Sequence, residues 1–159
     1  MKELVLVKYG EMALKGLNKK TFEDMLTKNI KRRLKAIGNF KLTSAQSTTY
    51  ITPLDDDIDL GEVVDRVGKI FGIAALCRAC VCEKDFDDIC NKSYEYLDEV
   101  LGCARTFKVN AKRADKAFPM KSPQICAELG GVLLSKYSHL KVDVNTPEVT
   151  VTVEIRDTN

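Results

Sequence analysis

The fold is decided most clearly by residues 106–123, T-F-K-V-N-A-K-R-A-D-K-A-F-P-M-K-S-P. The first half alternates apolar and polar residues, which places Phe107 and Val109 on one face of a predicted strand. A cationic connection follows, and Ser122 and Pro123 are predicted to be the N-cap and the first residue of a helix. The segment therefore predicts a strand, a loop and a helix, as in an α/β unit.

Positive charge is concentrated around this segment. Residues 104–121 carry six cations against one anion, Asp115. A strand that delivers such charge to a helix N-terminus, where unpaired N–H groups also favour anions, suits phosphate. The alternative is a solvated basic edge that discourages strand pairing. The six cations are Arg105, Lys108, Lys112, Arg113, Lys116 and Lys121.

The whole-chain composition indicates a globular protein. The chain has 159 residues, of which 45% are hydrophobic and 30% are charged. No apolar run approaches membrane-spanning length, and no signal peptide is predicted, so we expect a cytoplasmic protein. The formal net charge is +2, but residues 1–36 carry ten Lys/Arg and four acids, whereas residues 83–99 carry seven acids and two lysines. A one-sided electrostatic surface is therefore plausible.

Six cysteines invite a metal-site interpretation, because Cys77, Cys80 and Cys82 lie close in sequence. Residues 73–82 are predicted to form a strand, so Cys77 faces away from the other two. No second cysteine pair or histidine cluster completes a four-ligand site, and His139 is the single histidine. No metal is therefore predicted. The remaining cysteines (90, 103 and 126) are expected to be small buried side chains, with a redox role as the alternative.

Residues 1–82 are predicted to form a four-stranded domain with two helices. The first helix carries Phe22, Leu26, Ile30 and Leu34 at i+4 spacing. The order βαββαβ is the split pattern typical of a ferredoxin-like fold. The predicted elements are a strand at 3–9, a helix at 19–37, strands at 40–45 and 48–52, a helix at 60–71 and a strand at 73–82.

Residues 83–159 are predicted to form a second, small α/β domain. Its predicted elements are a helix at 86–101, a strand at 106–111, a helix at 123–137 and strands at 141–144 and 149–156. The predicted fold class of the chain is therefore α+β. Gly130 and Gly131 are expected to allow close packing of the second helix on a strand, and His139 is expected to contact the carbonyls that end this helix.

Two sets of residues resemble a known family. K-Y-G-E-M-A-L-K-G at 8–16, with N-K-K-T-F-E-D-M-L-T-K-N-I at 18–30, closely resembles the amino terminus of bacterial tRNA 4-thiouridine synthetase, also called the thiamine biosynthesis sulfurtransferase. The THUMP domain of this family resembles 107–113, together with Phe118-Pro119, Ser122, Gly130-Gly131 and N-T-P-E-V at 145–149. The resemblance implies a ferredoxin-like domain at 1–82 and a THUMP domain at 83–159, although the THUMP sequence profile can start near residue 60.

The sequence also departs from this family. Its enzymes continue into an ATP-pyrophosphatase domain with a Ser-Gly-Gly-x-Asp-Ser loop, which this sequence lacks. We therefore expect the RNA-binding part alone, inactive by itself, with ATP and Mg implied for the catalytic domain and no cofactor or catalytic residue here. The last strand is expected to be truncated, which would leave an unpaired edge for a homodimer.

The resemblance implies that both domains hold the acceptor stem and 3′ end of tRNA, so that a uridine is positioned for sulfur transfer. It also implies a cysteine desulfurase as sulfur donor to the full-length enzyme. A-form RNA is recognised through shape, phosphate and 2′-OH groups, and single strands through stacking and polar edges. Phe118 is either a packed loop anchor or a stacking platform. The candidate RNA contacts are Lys108, Lys112, Arg113, Lys116, Lys121, Ser122 and Phe118 in the second domain, and Lys15, Lys19, Lys20, Lys28, Arg32 and Lys35 in the first.

Three other functions are weighed against this one. The chain could be the THUMP-containing part of another tRNA-modifying enzyme, or a basic module that docks an acidic protein partner. A small independent enzyme is disfavoured because no nucleophile–base or metal constellation is present. For RNA binding, replacing Lys112 and Arg113 by alanine is expected to weaken tRNA binding and leave the melting temperature nearly unchanged. All of these expectations assume that the cations of the two domains form one surface.

Overall fold

A computed structural model describes residues 2–9, 19–45, 48–70 and 73–156. The described residues form two compact units that meet in sequence between Val81 and Cys82. Each unit has its own hydrophobic core and contains both helices and strands. The predicted α+β fold class is confirmed. No described helix is both long enough and apolar enough to span a membrane.

The first unit is a four-stranded antiparallel sheet with two helices. The sheet order is β2-β3-β1-β4, and each neighbouring pair is antiparallel. The hairpin partner β3 thus lies between β1 and β2, which is the split arrangement that the sequence predicts. The elements are β1 (Glu3–Tyr9), α1 (Lys19–Leu34), β2 (Phe40–Ala45), β3 (Thr48–Pro53), α2 (Leu60–Val67) and β4 (Ile73–Cys80).

The apolar stripe of α1 packs on the sheet, as its i+4 spacing predicts. Its four members belong to one buried cluster with Val5 and Val7 of β1. The helix ends at Leu34 and not at 37, because the N–H groups of Ile37 and Gly38 both donate to the Leu34 carbonyl, at 2.9 and 3.3 Å. The outward face of α1 is therefore a helical surface fixed by the core beneath it. The stripe residues are Phe22, Leu26, Ile30 and Leu34.

The second helix and last strand of this unit are shorter than predicted. Helix α2 ends at Val67, because the N–H groups of Lys69 and Ile70 donate to carbonyls three residues back, at 3.4 and 3.0 Å. This tightened turn satisfies the carbonyls that a helix end leaves unpaired. Residue 71, the predicted end of this helix, lies outside the described residues. Strand β4 ends at Cys80, so Cys82 belongs to the second unit.

The second unit is a three-stranded parallel sheet with two helices. Its order is β6-β5-β7, and β5 pairs in parallel with both neighbours. Phe107 of β5 is fully buried under Ile125, Leu129 and Leu133 of a helix that follows it. The elements are α3 (Phe86–Cys103), β5 (Thr106–Arg113), α4 (Ser122–Lys136), β6 (Lys141–Val142) and β7 (Val149–Ile155).

Two expectations for the second unit are wrong. Gly131 is exposed, and a Cβ added there would meet nothing within 4 Å, while a Cβ at Gly130 would make an ordinary 3.9 Å contact with Val109. Neither position therefore needs glycine for close packing. His139 contacts the Leu101 carbonyl of α3 at 3.0 Å through Nε2, and not the carbonyls that end α4. The chain turns after α4, which brings the imidazole to the end of the other helix.

Candidate nucleic-acid interface

The central strand β5 separates apolar and polar side chains onto opposite faces. Phe107 is fully buried and Val109 half-buried on the face under α4, whereas Asn110 and Lys112 are exposed on the other face and Lys108 is half-buried there. The predicted alternation is confirmed. The strand therefore carries two of the candidate cations on an open sheet face.

Strand β7 extends this polar face. In a parallel pair, residues in register project from the same side of the sheet. Lys112 lies opposite Glu154, so opposite charges are neighbours at that end of the face. The two threonines of β7 are exposed, and they add hydroxyl donors and acceptors. We call this surface the β5–β7 polar face, and it consists of Lys108, Asn110, Lys112, Thr150, Thr152 and Glu154.

After β5 the chain forms a loop, residues 114–121, which we call the clamped loop. Arg113 lies at its start, and the Nη1 atom donates to the carbonyl oxygens of Phe118 at 3.1 Å and Met120 at 3.2 Å. Hydrogen bonds from a charged donor are stronger than those between neutral groups. Arg113 therefore fixes the far end of the loop onto the strand that precedes it.

Asp115 holds the near end of the clamped loop. Its Oδ2 accepts from Lys84 Nζ at 2.9 Å, and its Oδ1 accepts from the Ala117 N–H at 2.9 Å. The Lys84 hydrogen bond and then the Ala117 N–H lower the pKa of this carboxyl below its usual value. The N–H groups of Ala114 and Asp115 donate to the Ile155 carbonyl of β7, at 2.7 and 3.3 Å. The loop is thus tied to three parts of the unit.

The side chains of the clamped loop point in two directions. Phe118 and Met120 are 5% and 8% exposed and belong to the hydrophobic core, whereas Lys116 and Lys121 are exposed. Of the two roles considered for Phe118, the structure supports the packed anchor, because its ring lies in the core and leaves no face on which a base could stack. Phe118 therefore anchors the loop in the core, and the loop presents two lysines outward from a fixed backbone.

Helix α4 begins one residue earlier than predicted. Lys121 is the N-cap, and its carbonyl accepts from the Ile125 N–H at 3.0 Å, so Ser122 is already the first helical residue. Pro123 is then the second. The cap makes no side-chain hydrogen bond, since a lysine ammonium cannot accept one. Ser122 therefore does not cap the helix, and its half-buried side chain lies beside the cationic loop.

A groove of about 490 Å³ runs between α4 and β5. Strand β6 pairs only with Thr106 and Phe107, so the described part of the sheet has no neighbour beside the rest of that β5 edge. Sequence patterns did not identify this groove. Val142 and Val144, which line it, were predicted only as part of a strand at 141–144, and their exposure is visible only in the structure. We call it the α4–β5 groove, and it is lined by Phe107, Lys108, Val109, Asn110, Pro123, Cys126, Ala127, Gly130, Val142 and Val144.

The candidate cations of the first unit lie on α1 and just after it. Lys28, Arg32 and Lys35 follow at i+4 and i+7 spacing, and all three are exposed. Lys31, which the sequence interpretation did not select, is exposed beside them. We call these four residues the α1 cationic face. The Arg32 Nη2 atom lies 3.4 Å from the Asn29 Oδ1 atom, which is a long hydrogen bond.

The other candidate cations of this unit are Lys15, Lys19 and Lys20. Lys20 is exposed in the first turn of α1. Lys19 is the first helical residue, and Lys15 lies outside the described residues. The structure thus groups the candidate cations into two sets, one in each unit. That the two sets form one surface stays a prediction.

The cysteines and acidic side chains bear on two other chemistries, metal binding and redox reactions. In the described segments, no group of three or more His, Cys, Asp or Glu side chains is arranged to hold a metal ion. Cys90 is buried, and burial raises the pKa of its thiol. Cys103 is exposed and Cys126 is half-buried, so the expectation that both are buried is wrong. Cys103 is the last residue of α3 and lies on its exposed side, between the core residues Leu101 and Ala104.

Two family models match this chain. The model of the ThiI ferredoxin-like domain matches residues 4–77, and the model of the THUMP domain matches residues 83–159. The THUMP match thus starts at 83 and not near 60. Together the two models cover both units, and the resemblance inferred from the sequence is confirmed.

Individual relatives agree with these matches. The chain is 39% identical to a probable tRNA sulfurtransferase of Acetivibrio thermocellus, over 99% of this chain and 41% of that protein. It is 42% identical to a probable tRNA sulfurtransferase of Lachnospira eligens, over 98% of this chain and 40% of that protein. The crystal structure of a 4-thiouridine synthetase–RNA complex with bound ATP superposes with a TM-score of 0.79 and 33% identity, over 99% of this chain and 39% of that one. The chain thus spans about 40% of the length of the curated relatives.

Proposed function

This chain belongs to the ThiI ferredoxin-like and THUMP domain families, and we propose that it is the tRNA-binding portion of a tRNA uracil 4-sulfurtransferase. In this proposal it holds the acceptor stem and the 3′ end of tRNA. A uridine elsewhere in the same tRNA is then presented to an ATP-pyrophosphatase domain. The chain itself contributes binding and distance, and no chemical step.

The observation that carries the proposal is the cationic surface of the second unit. Lys112, Lys116 and Lys121 are exposed around one strand end and one anchored loop. The phosphate backbone supplies most of the affinity of proteins for nucleic acids, and lysine is a common phosphate ligand. A likeness to a synthetase solved as an RNA complex supports the same partner.

The polar face beside these lysines suits an unpaired strand. Lys108 and Asn110 lie next to exposed threonines of β7, so hydrogen-bond donors and acceptors are available together. Such groups match the exposed base edges and 2′-OH groups of single-stranded RNA. We therefore assign the 3′ end to the second unit.

The α1 cationic face suits a duplex. A-form RNA is bound mainly through phosphate and 2′-OH groups along its wide minor groove, and a row of long cationic side chains on a helix reaches such phosphates. The acceptor stem is accordingly assigned to the first unit. The candidate contacts there are Lys15, Lys19, Lys20, Lys28, Arg32 and Lys35.

The remaining proposals concern the whole protein. ATP and Mg would act in the catalytic domain, and a cysteine desulfurase would supply sulfur for 4-thiouridine and for the thiamine thiazole. A cytoplasmic location and a homodimer are also part of this proposal. None of them requires a residue of this chain to react.

The experiment compares whole tRNA with tRNA trimmed of its 3′ tail. Filter binding to the chain at two salt concentrations is expected to give tighter binding to the intact tRNA, and log K should fall linearly with log salt. Equal binding to both RNAs would contradict the 3′-end assignment. If tRNA does not bind and a purified acidic protein does, the chain is a protein-docking module. If the chain binds tRNA tightly but the full-length protein transfers no sulfur to uridine, the protein is another tRNA-modifying enzyme.

A further inference from the structure

Arg113 differs from its neighbours Lys112 and Lys116 because it is half-buried and its guanidinium donates to backbone carbonyls. Its Nη1 atom donates to two carbonyls of the clamped loop, at 3.1 and 3.2 Å, and the residue is half-buried. Both hydrogens of that nitrogen are therefore used. Lys112 and Lys116, on either side in sequence, are exposed. Neighbours of equal charge thus have different environments.

We propose that Arg113 is a positioning residue that holds the clamped loop for RNA, and that it does not itself bind a phosphate. The inference rests on the proposed function, because the orientation of the loop lysines matters only if this surface binds RNA. In this view Arg113 acts through Lys116 and Lys121. Its guanidinium fixes the backbone from which these two side chains extend.

The other ties of the loop support the same role. The Asp115 carboxylate binds Lys84 with one oxygen and the Ala117 N–H with the other. The Ile155 carbonyl accepts from the first two N–H groups of the loop. Loops ordered before binding lose less conformational entropy when they bind, so their contacts yield more affinity. The ties thus order the loop before RNA arrives.

Removing Asp115 tests the positioning role, because a charge effect and a positioning effect change RNA affinity in opposite directions. Asp115 is the only anion among residues 104–121, and simple electrostatics predicts that removing it strengthens binding to a polyanion. If Asp115 instead orders the loop, removing it weakens binding. Asp115→Ala therefore separates charge from position in one variant.

The experiment measures tRNA binding by the 159-residue chain across a KCl series. Arg113→Met is expected to lower affinity about threefold to tenfold, the loss that follows from leaving one or two side chains unordered. The slope of log K against log salt is expected to stay as in wild type, because no phosphate contact is lost. Lys116→Ala is the matched control, and its slope should fall by about 0.7–0.9. Asp115→Ala is expected to bind more weakly than wild type.

A double-mutant cycle tests whether Arg113 acts through the loop lysines. In a Lys116→Ala/Lys121→Ala background, Arg113→Met should cause no further loss, since the groups that it positions are absent. A full additional loss would indicate that Arg113 contacts RNA directly. Hydrogen exchange without RNA supplies a second readout, and the Ala117 and Phe118 amides should exchange faster in Arg113→Met.

The outcomes separate this inference from the proposed function. If wild type does not bind tRNA, the proposed function is wrong and the inference is wrong with it. If wild type binds tRNA but Arg113→Met lowers the salt slope, or Asp115→Ala binds more tightly, only the positioning role is overturned. Unchanged affinity in Arg113→Met, with faster amide exchange, would reduce the clamp to a structural feature unrelated to RNA.

Discussion

The α1 cationic face and the clamped loop both present exposed lysines, and they differ in what holds the backbone beneath them. On α1 the backbone is satisfied by helical hydrogen bonds, and Lys28, Lys31 and Lys35 extend into solvent with no ion pair recorded in the described part of the chain. In the loop, the backbone groups are bound by Arg113 and Asp115, and two apolar side chains lie in the core.

The number of exposed cations on a surface and the order of the backbone that carries them therefore vary independently. On both surfaces the cations are long side chains whose freedom is lost at binding, and the helix backbone is ordered by its own hydrogen bonds. The loop presents its cations from a backbone that other side chains have already ordered. We therefore expect the α1 cationic face to attract RNA at long range and the clamped loop to fix the position at which the RNA binds.

The largest expected effect tests whether each surface depends on its own core. Leu129→Ala in α4 and Ile30→Ala in α1 each remove a fully buried side chain, and each should lower the free energy of unfolding by about 2–5 kcal/mol. Urea denaturation measures the loss, and hydrogen exchange locates it. Leu129→Ala should speed exchange within residues 82–156 and Ile30→Ala within residues 19–70. If either variant loosens both units equally, the two surfaces are not independent.

The next effect compares the two cation sets at equal charge. One variant replaces Lys112, Lys116 and Lys121 by alanine, and its matched control replaces Lys28, Lys31 and Lys35. We expect the loop variant to lose more tRNA affinity, with a salt slope lower by about 2, as for three phosphates on a single strand. Equal losses in the two variants would show that net charge alone decides binding.

A smaller effect concerns the groove beside the loop. Gly131→Ala should raise the free energy of unfolding by about 0.4–1 kcal/mol, because the added methyl group meets nothing and restricts the unfolded chain. Gly130→Ala is the paired variant, and its methyl group projects into a position that lines the α4–β5 groove. If RNA enters the groove, only Gly130→Ala lowers affinity. Equal affinities would exclude the groove from the interface.

The smallest effect is the pH dependence of the loop. Asp115 has a lowered pKa in the folded chain, so its contribution is present above the usual value of 3.8 and is lost as pH falls through the folded value. The Ala117 amide should therefore become more mobile only as the pH falls below the usual carboxyl pKa of 3.8 and through the lowered folded value, as seen in NMR order parameters. Asp115→Asn should remove this dependence. A pH-independent amide in wild type would contradict the role of the carboxylate.

Much of the fold follows from the sequence alone. The alternation of Phe107 and Val109 in β5 and the i+4 stripe of α1 each match one element, because burial on one side imposes its period on the residues. The ends of elements follow less well. Helix α2 stops at Val67 with Gly68 as its C-cap, and the backbone then changes to three-residue hydrogen bonds, although the apolar pattern continues to Ile70.

The sequence predicts which residues form the candidate site, but not what each of them does there. Charge counting finds Lys112, Arg113 and Lys116 without distinguishing them. The role of Arg113 depends on carbonyls five and seven residues later, and any residue could supply those oxygens. Likewise Phe118 is apolar in either role, so its place in the core required the path of the loop.

The central position of β5 in a parallel sheet has a consequence for synthesis. Its two partners, β6 and β7, both follow it in the chain, and β7 ends at Ile155. On the ribosome, β5 has no sheet partner until β6 emerges at residues 141–142, and its pairing with β7 is complete only at Ile155. Val151 and Ile155, which belong to the core cluster of this unit, are missing during that interval. We expect chaperones to meet the second unit at this stage, and slowed translation near residues 141–155 to prolong the encounter.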